Sequence, residues 1–218
     1  MTDAPPPAGP GRRRRGPSPA KTAATRRALV EAGLALFLDT GYGATRMSDV
    51  ALRAGLGKGT IYLHFSDKAA LFDAVVREVA LRTRAQRALP RPRPNEPTRD
   101  FLRRVVPPLL GLFRDSGLSR VILLVASEGA RLPEVADVYR QVIIDPVLRI
   151  VVLYAGRAER RGELRAGPLS RHPLIMVAPV VVTTLYNTLF AGAAPVDVLA
   201  TFDDFLDLLF AAGAKSPA

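Results

Sequence analysis

Between residues 58 and 68 the chain reads KGTIYLHFSDK, a run in which polar tips alternate with core formers. Lys58 can neutralise a phosphate or donate to a guanine edge, and Thr60 can donate to a phosphate or touch a thymine methyl. Gly59 has no side chain, so the backbone there can approach a ligand closely. Tyr62 and His64 add two further polar tips, and Lys68 is one more phosphate candidate. Upstream, Thr45 and Arg46 stand where a helix begins, and the free amides of such an end favour an anion. Leu56, Ile61 and Phe65 read as core. The chemistry these residues support is recognition of a phosphodiester and its base edges. GLGKGT resembles a nucleotide-cradling loop only superficially: that pattern needs Gly where Leu52 stands and Ser or Thr where Gly59 stands, and it follows a strand.

Those residues are carried by two short helices. Val50, Ala51 and Ala54 give the first an apolar face, with Thr45 as its expected N-cap. Gly55 stops it, and Lys58 to His64 forms the second, about two turns long. This is the sequence form of a helix-turn-helix, whose second helix enters the DNA major groove. A first helix from Lys21 or Thr22 to Thr40 precedes it, with Leu29, Ala32, Gly33, Leu36 and Phe37 as an apolar stripe, and Gly41-Tyr42-Gly43 closes it. A fourth helix starts at Ser66 or Asp67, Ser66 being its expected N-cap, and runs to Leu89. PRPRPNEP (residues 90–97) breaks it. The remainder reads helical: 98–114 with a kink or break at Pro107-Pro108, then 118–132, 133–161 across Pro146, 172–191 and 195–212, with a loop at 162–170. The expectation is an all-α chain with a basic disordered tail over 1–20, a helix-turn-helix unit over 21–89 and a helical bundle over 98–213. In the tail, Arg12 to Arg15 can reach phosphates or a minor groove.

Composition agrees with an anionic partner. The formal net charge is +11 over 218 residues, and the first 88 hold 15 Lys and Arg against 7 Asp and Glu. The other 130 hold 16 against 13. With no Cys, disulfides, thiolate nucleophiles and Cys-ligated zinc are excluded. Two His, His64 and His172, do not make a His-rich metal site or a relay. No nucleophile–base or paired-carboxylate pattern is present, so neither an enzyme nor a cofactor is expected. The first 20 residues lack the apolar run of a secretory leader, which points to the cytoplasm. Pro173 to Val196 is uncharged, but Thr183, Thr184, Tyr186, Asn187 and Pro179 interrupt it. It reads as a buried or interface helix rather than a membrane span.

Leu34 to Phe37, Gly41-Tyr42, Val50-Ala51, Ala54-Gly55-Leu56, Gly59-Thr60-Ile61-Tyr62, His64-Phe65, Lys68 and Leu71-Phe72 together resemble the DNA-binding domain of the TetR (tetracycline-repressor) family. The resemblance spans about residues 25–79, and SEGARLPEVADVYRQVI (127–143) is similar to AcrR-like members. It implies an all-helical homodimer: a three-helix head on DNA, a fourth helix joining it to a bundle, and an inducer pocket in the bundle. It also implies phosphate contacts by Tyr62 and His64, and a dimer interface formed by the last two helices. Leu199, Phe202, Leu206 and Leu209 would be the seam, with Asp203, Asp204 and Asp207 toward solvent.

A pocket in the bundle would draw on Phe101, Leu109, Phe113, Leu123, Tyr139, Tyr154, Met176, Val180 and Tyr186, with Glu128, Thr183 and Asn187 as polar contacts. Such a lining suits a hydrophobic small-molecule effector. The expected function is a DNA-binding transcriptional regulator, a repressor released by that effector. The competing expectation is a constitutive or architectural DNA-binding protein with no effector.

Overall fold

The computed structural model describes residues 18–85, 90–115, 117–190, 192 and 194–211, apart from the side chains of 83–85, 114 and 115. Arg12 to Arg15, and all of the expected tail up to residue 17, lie outside the described residues. The described residues form helices and no strands.

Helix α1 (Pro19–Thr40) starts two or three residues earlier than the expected Lys21 or Thr22. Ser18 caps it, its hydroxyl accepting from the Lys21 amide at 3.4 Å, and Pro19 occupies the first turn, where a missing N–H costs nothing. It ends at Gly41, whose φ of 86° suits glycine and whose N–H donates to the Phe37 carbonyl. Helix α2 (Met47–Arg53) is followed by a paired set of turn bonds, Leu56 N–H to Ala51 carbonyl and Gly55 N–H to Leu52 carbonyl. Gly55 sits at φ 69° between them, the geometry of a Schellman stop. Helix α3 (Lys58–Tyr62) is shorter than expected, because Leu63 already closes it. Helix α4 (Lys68–Ala85) is capped by Asp67, whose carboxylate accepts from the Ala70 amide at 2.8 Å. That bond holds the Asp67 carboxyl below the usual range. Ser66, the expected cap, donates to Asp67 instead.

Helix α5 (Thr98–Asp115) passes through Pro107 and Pro108 as one element, and α6 (Leu118–Glu128) follows. Next come α7 (Pro133–Tyr139), a π-helical turn (Arg140–Ile144) and α8 (Asp145–Arg160) in one unbroken run. The wide turn has a local reason. Pro146 supplies no N–H and would crowd the carbonyl of Val142 in a regular α-helix. A single turn, α9 (Pro168–Arg171), leads to α10 (Leu174–Leu189) and α11 (Val198–Ala211). Among the described residues no helix is long and apolar enough to cross a membrane.

The apolar side chains settle into two clusters. One joins the head to α6 and the turns after it: Leu29, Phe37, Tyr42, Val50, Ile61, Phe65, Leu71 and Phe72 share it with Val121, Leu124, Val135 and Tyr139. The other lies among α8 to α11, with Ala155, Ala158, Met176, Phe202, Leu206 and Phe210. Phe202 and Leu206 are therefore inside the protomer rather than on a seam. Asp203 and Asp207 remain about half exposed and pair there with Arg103 and Arg99 of α5.

Candidate nucleic-acid interface and internal cavity

The head presents Lys58, Gly59 and Tyr62 exposed, with Thr60 and His64 half-buried beside them and Arg46 exposed at the start of α2. Tyr62 is 50% exposed although its neighbours Ile61 and Phe65 are buried, so its ring stands outward from the core that holds α3 in place. Leu52 and Leu63, at 79% and 85%, are exposed beside these polar groups. Sequence reasoning passed over both, since neither fits an apolar stripe.

Two of the expected DNA contacts have other partners. Thr45 is buried. Its hydroxyl donates to the Gly41 carbonyl at 2.6 Å and lies 3.0 Å from the Thr40 hydroxyl, so it closes the turn instead of capping α2. The ammonium of Lys68 donates to the carbonyls of Tyr42, Gly43 and Thr45 at 2.7, 3.0 and 3.1 Å, and it sits 4.6 Å from the Tyr42 ring centroid. A lysine has three donors, and these bonds use them all.

The opposite side of the same turn is held by Glu128, the last residue of α6. Its carboxylate accepts from the Tyr42 amide at 2.9 Å and the Gly43 amide at 2.7 Å. This acid, expected in a pocket, instead reaches a backbone 86 residues away. Tyr42 itself packs edge-on against Phe72 at 5.3 Å and beside Phe37 at 5.4 Å. Burial, with lesser help from the nearby carboxylates, pushes its hydroxyl up to about 12.

A cavity of about 340 Å³ lies where the two apolar clusters meet. Ala80, Ile122, Tyr139 and Val142 line it from the head side, and Ala155, Met176, Phe202 and Phe210 from the other. Of the expected pocket residues, Leu109, Phe113, Tyr139, Tyr154, Met176 and Val180 face it. The others are elsewhere. Phe101 is buried behind the wall, 4.6 Å from the Tyr154 ring. Leu123 packs against the head's cluster. Thr183 donates to the Pro179 carbonyl within α10. Tyr186 lies on the outer surface against Phe190, and Asn187 bonds both ways to the Val196 backbone at 2.8 Å. Among the described residues no charged side chain lines the cavity; Thr98, Tyr139 and Tyr154 supply its side-chain polarity. Burial pushes the Tyr139 hydroxyl upward, so it stays a neutral donor.

Comparison with known proteins agrees with this geometry. Residues 29–75 match the family model described as bacterial regulatory proteins, tetR family. The HTH-type transcriptional repressor BepR of Brucella suis biovar 1 (strain 1330) is 35% identical over 57 residues, 26% of this chain and 27% of that protein. The HTH-type transcriptional regulator AcrR of Shigella flexneri is 37% identical over 51 residues, 23% and 24% of the two chains. The chain thus spans about a quarter of the length of the curated relatives it matches. A crystal structure of a TetR-family regulator from Mesorhizobium loti MAFF303099 has a TM-score of 0.66 at 20% identity, covering 88% of this chain and 97% of that one, which shows the fold. This is a family of DNA-binding regulators, not of enzymes. Residues 29–75 thus match the DNA-binding domain of the tetR family, and the all-helical body shares the fold of TetR-family structures.

Proposed function

We propose that the protein is a homodimeric transcriptional repressor that binds double-stranded DNA through α3 and releases it when an uncharged hydrophobic small molecule fills the cavity. The cavity carries the reading. It is lined from α4 to α11, it is apolar with three polar side chains, and it adjoins the cluster that holds the head. Small-molecule sites have this composition, and an ionised ligand would find no counter-charge there. Arg46, Lys58, Thr60, Tyr62 and His64 are the proposed DNA contacts, the last four on or just after α3. BepR, by its name, is a repressor. The second protomer would cover the exposed apolar side chains of α10 and α11, among them Val182, Leu189, Phe190, Leu199 and Leu208. The working compartment is the cytoplasm.

The test is a selection of duplexes from a random-sequence pool, followed by anisotropy titrations in rising salt and with N-phenyl-1-naphthylamine, an uncharged apolar fluorophore. The expected results are one preferred sequence, affinity falling steeply with salt, and weaker binding when the fluorophore is bound. Equal affinity for all sequences with no fluorophore effect would favour the constitutive architectural reading.

A further inference from the structure

The Gly41-Tyr42-Gly43 turn is gripped from two sides by groups of opposite charge. Lys68 of α4 takes its carbonyls and Glu128 of α6 takes its amides. The glycines are explained by the second grip. A Cβ at Gly41 would stand 2.5 Å from one Glu128 carboxylate oxygen, and a Cβ at Gly43 would stand 3.3 Å from the other. Gly41 also has the positive φ, whereas Gly43 does not; its need is space for the acid. Bonds from backbone amides to a carboxylate are charge-assisted and short, so the grip is directional.

Helix α6 has a second engagement. Leu118 and Ile122, toward its other end, line the cavity, while Glu128 ends it against the turn. One rigid element of 11 residues therefore touches both the cavity and the head. The turn it grips lies between α1 and α2, and α2 packs on α3.

We infer that Glu128 is the positioning residue through which the cavity-bearing body sets the stance of the α1–α2 turn, and with it the placement of α3 on DNA. The link to DNA rests on the function proposed above; the grip itself does not. A ligand that moves Leu118 and Ile122 moves Glu128 with them. Two amides then lose their acceptor or drag the turn along. Two heads held at one stance demand one spacing between half-sites.

The test uses the full-length chain. Glu128→Gln keeps the side-chain size but leaves one acceptor oxygen and no charge, and Gly43→Ala presses a methyl on the carboxylate without altering α6. Circular dichroism melts check that each variant is folded. Hydrogen exchange is then followed at the Tyr42 and Gly43 amides; about tenfold faster exchange is expected in both variants, with α8 and α11 unchanged. On the duplex selected by the wild-type chain, a one-base-pair change in half-site spacing is expected to cost wild type about tenfold in affinity and Glu128→Gln less than about threefold. A merely structural acid would not alter that spacing penalty. Unchanged exchange at the turn in both variants overturns the grip. Faster exchange with an intact spacing penalty overturns its role in positioning the heads. Should the wild-type chain select no duplex, the DNA reading fails, while the exchange measurement still judges the grip.

Discussion

The α1–α2 turn and the cavity lie at opposite ends of α6 and are built on opposite rules. In the turn, the amides of Tyr42 and Gly43 and the carbonyls of Gly41, Tyr42, Gly43 and Thr45 meet named partners, and an aromatic trio packs beneath. Such a network has one good arrangement and penalises every other. The cavity is walled mostly by aliphatic and aromatic side chains, with Thr98 and two tyrosines as its polar groups, and its apolar contacts are non-directional and adjustable. The difference teaches where specificity lives. The turn fixes a geometry, whereas the cavity offers a ligand only a size limit and an absence of charge.

The comparison breaks first at the aromatic trio. Phe72→Ala removes a side chain 1% exposed that touches both Phe37 and Tyr42, and is expected to cost about 3–5 kcal/mol in urea unfolding. A loss below about 1 kcal/mol would mean that the turn stands without its packing. Next, Val180→Trp should fill the cavity and lower N-phenyl-1-naphthylamine affinity by about tenfold or more, with the melting temperature unchanged or raised. Unaltered uptake would place the fluorophore elsewhere. A third measurement uses alkali. The Tyr42 hydroxyl moves from 10.0 to about 12 on folding, so its stabilising share is complete below pH 10 and is lost as pH rises toward 12. Tyr42→Phe should therefore show a shallower fall in urea midpoint over that window, with Tyr139, also pushed up by burial, leaving some slope. Smallest is Tyr62→Phe, expected to weaken DNA binding by about two- to tenfold on all sequences alike. A change confined to sequence preference would move Tyr62 from the phosphates to the bases.

The helices were legible because their signals are local. Gly55 reads as a helix stop, PRPRPNEP as a break and the Leu29 to Phe37 stripe as a buried face, each decided within a few residues. The early start of α1 was missed although its signal is local, since Ser18-Pro19 is a cap followed by a first-turn proline. What escaped was set at long range. Glu128 at the end of an apolar helix gives no hint that its partner is 86 residues distant. The need for Gly43 was hidden with it, since only the structure shows that this glycine lacks a positive φ and leaves room for the acid. Lys68 misled for a related reason: a lysine at a helix start looks solvent-bound unless carbonyls are known to converge on it. Phe202 and Leu206 had the right period but the wrong partner. An amphipathic helix shows which side is apolar, not whether its own chain or a second copy covers it.

The π-helical turn between α7 and α8 has a geometric use beyond making room for Pro146. Each residue added to a helix rotates the remainder of the rod by about 100°. A turn that takes in one extra residue thus acts as a phase shifter in an otherwise continuous rod. Helix α7 packs against α4 on the head's side, whereas α8 packs against α5 and α9. The rod is thereby re-aimed in mid-course without a break, and Val142, Ile143 and Ile144, at the point where the phase changes, are in the cavity wall.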